Sequence, residues 1–408
     1  MGIKFRLTVM NFLQYAVWGA WLISLGAYLG NTLKFDGLQI GSFFATMGIA
    51  SLFMPAVMGI IADRWIPAQR LLGLCHLFAA GFITLAATRT DYNSLYTLVL
   101  LSVMFYMPTI ALSNSVAYNA LEKAGLDTVT HFPPIRVWGT VGFICAMWVV
   151  DLGKMGLSAT QLYFSATLGL ILGLYSFTLP NCPINRSGGG KSIVDLLGLR
   201  AFALFKQRKM AIFFIFSMLL GMSLQITNAF ADGYIKSFGD TGIHGAKYLG
   251  TFGVEHSTIL ISLSQISETL CILLIPFFLK RFGIKRVMLI AMFAWVLRFA
   301  LLGAGNPGPG VWMFILSMIV YGVAFDFFNI SGSLFVEKET SAAIRSSAQG
   351  VFMIMTNGLG ALIGSYLAGW VVNHYGWPLS WYLFAGFSLV VAIVFAVIFK
   401  YKHDPNRI

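Results

Sequence analysis

Twelve apolar runs, each about as long as one membrane crossing, constrain this chain more than any other feature. They fall near 7–31, 40–61, 69–88, 94–120, 135–152, 160–180, 210–238, 256–280, 285–303, 311–335, 344–373 and 380–401, with charged or Gly/Pro-rich breaks between them. Hydrocarbon offers no hydrogen-bond partners, so a crossing segment must satisfy its own backbone as a helix of about 20 residues. Twelve such helices use nearly all of the 408 residues and leave no room for a large soluble domain. Composition agrees: 58% of residues are hydrophobic and 10% charged, where a soluble domain carries about 25% charged residues. The expected fold class is an all-α integral membrane protein of twelve transmembrane helices. A cytosolic enzyme, a disordered chain and a secreted scaffold are excluded.

The formal net charge of +12 raises the question of a nucleic-acid partner, which the placement of the charges answers. With the N-terminus in the cytoplasm, 21 of the 27 Lys and Arg fall on the inner side. Lys34, Arg89, Lys154, Lys236 and Lys247 fall outside, and Arg298 lies within a span. That asymmetry is a positive-inside signal: it predicts cytoplasmic termini, an inner-membrane location and basic loops that face lipid headgroups, with no nucleic acid. The first span carries Asn11 and Gln14 and lacks a cleavage site, so it reads as retained. Cys75, Cys145, Cys182 and Cys271 show no metal or disulfide spacing, and His244, His256 and His374 belong to outer segments without ligand spacing. His76 lies on an apolar face and is expected in the core. No nucleophile elbow, phosphate loop or paired catalytic acids occur, so the chain reads as neither an enzyme nor a metalloprotein, with no cofactor.

The longest polar connection, 181–209, contains the flexible stretch Ser187–Lys191 and, over 192–205, a segment apolar enough to lie as a helix on the membrane surface. It divides the chain into six-helix halves at 1–180 and 210–408. Each half carries a short basic turn at the same place, Gly59-Ile-Ile-Ala-Asp63-Arg64 before Arg70 in the first and Lys280-Arg281-Phe-Gly283-Ile-Lys285-Arg286 in the second. A duplicated six-span unit is the plan of transporters that bind substrate near the bilayer midplane between parallel repeats. The first turn resembles the Gly-x-x-x-Asp-Arg signature of the major facilitator superfamily, although the usual Gly-Arg ending is replaced by Ile66-Pro67-Ala68-Gln69-Arg70. That resemblance makes Asp63, Arg64 and Arg70 candidate gating residues.

Of the 15 acidic residues, Glu268 and Asp326 fall near the middle of spans eight and ten, while others such as Asp151 and Asp232 are expected in outer segments. A carboxylate at the bilayer centre costs about 2.5–3.5 kcal/mol on insertion scales, so each must pair, reach water or hold a proton. Polar residues recur around them at helical spacing. Gln265 and Glu268 share a face, as do Gln225 and Asn228, and Tyr321, Phe325 and Asp326 form another. In the first half Arg136, Thr140 and Phe143 follow at i, i+4 and i+7. Amides and carboxylates read hydroxyls and ring heteroatoms, and aromatic faces stack on a flat ring. Two other readings use the same residues: a proton-coupled transporter of a sugar or other polar metabolite, and a membrane receptor that binds without transporting. Arg298 is expected to snorkel or to form a structural salt bridge.

The stretches FPPIRVWGTVGFI (132–144), MAIFFIFSMLLG (210–221), LQITN (224–228), SQISETL (264–270), SMIVYGVAFDFFNISGS (317–333) and FVEKE (335–339) resemble the bacterial nucleoside:H+ symporter family of the major facilitator superfamily. The resemblance covers essentially the whole chain. It implies proton-driven import of nucleosides such as uridine and adenosine, with the proton as coupling ion and a monomer sufficient. It also implies a substrate site formed by Arg136, Thr140, Phe143, Gln225, Asn228, Gln265, Glu268, Tyr321 and Phe325. Asp326 matches the acidic position tied to transport in the family, and Glu268 is the alternative proton carrier. Departures from the family's pattern concentrate in the outer connection 238–255 and in Ser187–Lys191.

Overall fold

The structure, a computed structural model, describes residues 2–184, 199–244, 246–341 and 345–401. The expected linker Ser187–Lys191 and the first part of the surface segment lie outside the described residues. The described end of that segment, Leu199–Lys206, is a 3-10 helix.

Helices α1 (Ile3–Gly19), α2 (Gly37–Arg64), α3 (Ala68–Ala87), α4 (Tyr92–Lys123), α5 (Thr128–Leu152) and α6 (Thr160–Ser176) precede the linker. After it come α7 (Arg208–Ser237), α8 (257–282), α9 (284–304), α10 (Val311–Glu339), α11 (Arg345–Met353 continuing through Ile354–Gly360 into Ala361–Tyr375) and α12 (Leu379–Ile398). These correspond one to one with the twelve apolar runs. Among the described residues nine helices are by themselves long and apolar enough to cross a membrane. One of the nine is the 48-residue stretch Ser257–Ala304, which contains both α8 and α9. The basic turn expected between those spans shrinks to a single residue, Gly283, whose φ of 77° needs the absence of a Cβ.

The expected start of span five at 135 is corrected by the structure. Asp127 caps a helix beginning at Thr128, its Oδ2 accepting from the Thr130 N–H at 2.8 Å. Pro133 and Pro134 therefore lie inside α5, where each removes one backbone donor without ending the helix.

The chain forms two compact units, Met1–Phe35 with Thr46–Leu197, and Asp36–Ala45 with Gly198–Ile408. In the first, α1 and α5 pack backbone to backbone: a Cβ at Gly142 would overlap the Phe12 carbonyl oxygen, and one at Gly19 the Phe143 carbonyl oxygen. A buried aliphatic cluster including Leu7, Met10, Leu72, Val116 and Leu172 completes that core. In the second unit Phe213 packs against Phe335, Phe352 and Phe328, with centroids 4.6, 5.4 and 6.4 Å away. At Gly322 a Cβ would stand 2.6 Å from the Ser267 carbonyl oxygen and 2.8 Å from Cys271 Sγ, so α10 approaches α8 as closely as a side-chain-free position allows. This contact brings together the two helices that carry the intramembrane acids.

Candidate functional site

In the first unit, α5 presents Arg136, Thr140 and Phe143 on the face that packs on α1. The Arg136 guanidinium carbon lies 3.9 Å above the centre of the Tyr15 ring, a cation–π contact. A Cβ at Gly139 would meet that ring at 2.6 Å and Arg136 Nη1 at 2.9 Å, so glycine keeps the space in which the pair stacks. Phe143 is buried and meets Trp18 edge-on, centroids 6.3 Å apart and planes at 85°. Trp18 also tilts against Tyr106 at 5.8 Å, and its buried Nε1–H has no acceptor among the described residues. Thr140 is half-buried on the same helix. Tyr15 and Trp18 were missed from the sequence; their signal was their spacing of three on the helix that also carries Gln14, which places them on one side.

Beneath these rings lies a polar network. Gln14 Nε2 donates to Thr109 Oγ1 at 2.7 Å, Gln14 Oε1 lies 2.8 Å from His76 Nε2, and the Tyr106 hydroxyl donates to the Gln14 carbonyl oxygen at 2.8 Å. Since the Gln14 amide already donates to Thr109, its oxygen is the acceptor and His76 Nε2 carries the hydrogen. His76 is buried as expected, but its setting is polar and not an apolar face.

In the second unit, α8 and α10 bring Gln265, Glu268, Tyr321 and Phe325 together with Asp326, while α7 carries Gln225 and Asn228. Gln225 is buried with its Oε1 unpartnered, and Asn228 is half-buried one turn further along α7. On α10 the Tyr321 and Phe325 rings stack at 5.7 Å with planes 6° apart. The Tyr321 hydroxyl faces the Gln265 side chain and is within electrostatic reach of Glu268, Asp326 and Arg298. Asp326 is 4% exposed and interacts electrostatically with Glu268, and among the described residues its Oδ2 has no hydrogen-bond partner. The cluster thus offers a flat two-ring face, unsatisfied acceptors and amides, and two acids in one low-dielectric setting. Such a surface can stack a heterocycle, read polar edges and hold a proton.

Three other expectations are revised. Arg298 neither snorkels nor forms an ion pair among the described residues: it is 2% exposed, donates from Nη1 to the Ser317 carbonyl oxygen at 2.6 Å, and lies 4.7 Å over the Tyr321 ring. Asp151 is buried, and so is Asp232, which α7 carries inward and which pairs with Lys236 at 2.7 Å. Both helices end where their apolar runs end, at Leu152 and Ser237, so it is the packing of neighbours around these helix ends that buries the two acids. At the α2–α3 turn Arg64 and Arg70 are exposed, and the Asp63 side chain lies outside the described residues.

A model of the nucleoside H+ symporter family matches residues 1–404. The chain belongs to that family. It is 50% identical over 410 residues to nucleoside permease NupG of Escherichia coli (strain K12), covering 99% of this chain and 97% of the relative. It is also 50% identical over 415 residues to xanthosine permease of the same organism, covering 100% and 98%. A crystal structure of a NupG point mutant superposes with a TM-score of 0.94 at 50% identity, covering 98% of this chain and all of the other. The family accounts for the all-helical transporter fold of the major facilitator kind and for a protein that moves solute without enzymatic turnover.

Proposed function

We propose that the protein imports nucleosides such as uridine and adenosine across the bacterial inner membrane together with protons, with both termini cytoplasmic and the monomer as the working unit. The observation that carries this reading is Asp326: a buried carboxyl with an oxygen unpartnered among the described residues, interacting with Glu268 and next in the chain to Phe325 of the stacked Tyr321–Phe325 pair, in a chain of the nucleoside H+ symporter family. The base stacks on aromatic faces supplied by Phe143, Tyr321 and Phe325. Gln225, Asn228, Gln265 and Glu268 hydrogen-bond ribose hydroxyls and the base edge, with Arg136 and Thr140 adding donors from the first unit. A site built to pair with hydroxyls discriminates strongly against analogues that lack them, because its own buried groups are then left unpaired. Asp326, with Glu268 as its partner, holds the coupling proton, and Asp63, Arg64 and Arg70 form the turn that gates the first unit. One proton moving through 100 mV supplies about 2.3 kcal/mol, enough for roughly 50-fold accumulation of a neutral solute.

The test is uptake of radiolabelled uridine and adenosine into vesicles under an imposed inward proton gradient. Uncoupler-sensitive accumulation is expected. Binding without accumulation would defeat the transport reading, and competition by sugars but not nucleosides would defeat the substrate.

A further inference from the structure

His76 is a buried polar side chain that the proposed mechanism leaves without a task. It is fully buried on α3, with Nε2 2.8 Å from Gln14 Oε1 of α1 and its ring edge-on to Tyr106 of α4, centroids 5.9 Å apart. The hydrogens of this network can be placed one by one. Thr109 donates from Oγ1 to the Tyr106 carbonyl oxygen at 2.5 Å, so toward Gln14 Nε2, 2.7 Å away, it can only accept. That fixes the Gln14 amide with its oxygen toward His76, and the hydrogen of the imidazole sits on Nε2. Nδ1 is then a bare lone pair, and among the described residues it has no hydrogen-bond partner. A buried acceptor in that state is costly unless something donates to it.

His76 lines a small cavity among α1, α3, α4 and α6, with about 10 Å³ open to the centre of a water-sized sphere. Gln14, which holds the Nε2 edge of the ring, is not part of its wall. The wall is mostly apolar, but Ser102, Tyr106 and Ser165 bring hydroxyls to it. Each hydroxyl has already spent its hydrogen: Ser102 Oγ donates to the Ala79 carbonyl oxygen at 2.9 Å, Ser165 Oγ to that of Val17 at 2.8 Å, and the Tyr106 hydroxyl to that of Gln14 at 2.8 Å. The polar groups that face the cavity therefore offer lone pairs, and no Asp, Glu, Lys or Arg lines it. An occupant must bring hydrogens, carry no net charge and be no larger than one water. A cation would lose its hydration with no carboxylate to replace it. Water meets all three conditions, since a cavity of about this size with at least two polar partners holds one molecule.

We propose that this cavity is a binding site for a single water molecule, which donates one hydrogen to His76 Nδ1 and the other to a wall hydroxyl. The bound water fixes the His76–Gln14 arm, and through it the turn of α1 that presents Tyr15 beneath the Arg136 guanidinium. Only this link to α1 rests on the nucleoside reading above; the water site does not.

Gly169 of α6, also in the wall, supplies the test. A Cβ there would meet Ala80 Cβ at 3.4 Å and the His76 carbonyl oxygen at 3.8 Å, which are ordinary contacts, while occupying cavity space. Alanine also favours a helix over glycine. Filling a dry cavity by Gly169→Ala would thus leave stability unchanged or raised, whereas displacing a bound water strands Nδ1. The experiment records solid-state NMR of the full-length, 15N-histidine-labelled protein in liposomes, with reversible unfolding in detergent and uridine counterflow at equal pH. In the wild type, magnetisation is expected to pass from water protons to His76 Nδ1. In Gly169→Ala that transfer is expected to vanish and the unfolding equilibrium constant to rise about tenfold. The uridine KM is expected to rise about threefold at an unchanged maximal rate. No transfer to Nδ1 in the wild type, or a Gly169→Ala protein at least as stable as the wild type, overturns the site. An unchanged KM overturns the link to α1. If Gly169→Ala does not fold, the wild-type spectrum decides by itself. Absence of uridine counterflow in the wild type would strike at the nucleoside reading and leave the water site to the spectrum and the unfolding curves.

Discussion

Replacing Asp232 by leucine removes the acceptor at the centre of a buried network on the same helix as Gln225 and Asn228. Its Oδ2 takes Lys236 Nζ at 2.7 Å, and its Oδ1 takes the Ser257 and Thr258 hydroxyls at 2.6 and 3.1 Å, tying the end of α7 to the first turn of α8. The carboxylate also faces the N-terminus of α8, where negative charge is favoured. The two side chains of the ion pair are 1% and 11% exposed, so solvent screens them little. Breaking such a pair from one side leaves an uncompensated charge and costs about 3–5 kcal/mol. Removing both charges, as Asp232→Leu/Lys236→Leu, leaves only the two hydroxyls without their acceptor, roughly 1–2 kcal/mol in total. The double variant is therefore expected to be about 2–3 kcal/mol more stable than Asp232→Leu alone. The assay is reversible denaturant unfolding of the protein in detergent micelles, followed by tryptophan fluorescence, alongside uridine KM. Asp232 lies one helical turn beyond Asn228, so KM is expected to rise in the single variant and recover in part in the double. A double variant no more stable than Asp232→Leu would refute the reasoning, because the ion pair would then contribute nothing that its hydroxyl partners do not.

Three further outcomes follow from the geometry. Gly142→Ala puts a methyl group into the Phe12 carbonyl oxygen and is expected to cost about 1–3 kcal/mol and to abolish uptake, whereas Gly81→Ala, with nothing within 4 Å of its Cβ, is expected to be neutral in the same thermal and uptake assays. Gln14→Leu strips partners from His76 and Thr109, while the main-chain acceptor of the Tyr106 hydroxyl stays, and is expected to destabilise by about 1–3 kcal/mol in denaturant unfolding. Gln225→Leu removes an acceptor that nothing among the described residues satisfies, so stability is expected to hold while the affinity for uridine, read by isothermal titration, drops about 10-fold or more with a smaller loss for 2',3'-dideoxyuridine.

The membrane fold was legible because hydrocarbon allows a helical span few alternatives: twelve apolar runs became twelve helices, and even the bend at Gly283 was marked by the basic cluster around it. The helix ends were less legible, since capping outranks hydropathy; Asp127 starts α5 seven residues before the apolar run and carries it through two prolines. Glu268 and Asp326 stood out because charge is so costly at that depth, and helical spacing collected Gln225, Asn228, Gln265, Tyr321 and Phe325 around them. Spacing within one helix says nothing about partners on another. Hence the Arg136–Tyr15 stack, the Gln14–His76–Tyr106 network and the burial of Arg298 against Tyr321 emerged only when the helices were packed.

The most direct test of proton-coupled nucleoside import places wild-type protein and Asp326→Asn in proteoliposomes and measures uridine accumulation under an inward proton gradient together with uridine counterflow at equal pH. The wild type is expected to do both, and Asp326→Asn to keep counterflow while losing accumulation, because an amide at 326 can still complete the binding face but cannot release a proton. Undiminished proton-driven accumulation by Asp326→Asn would contradict the assignment of the coupling proton to this buried carboxyl.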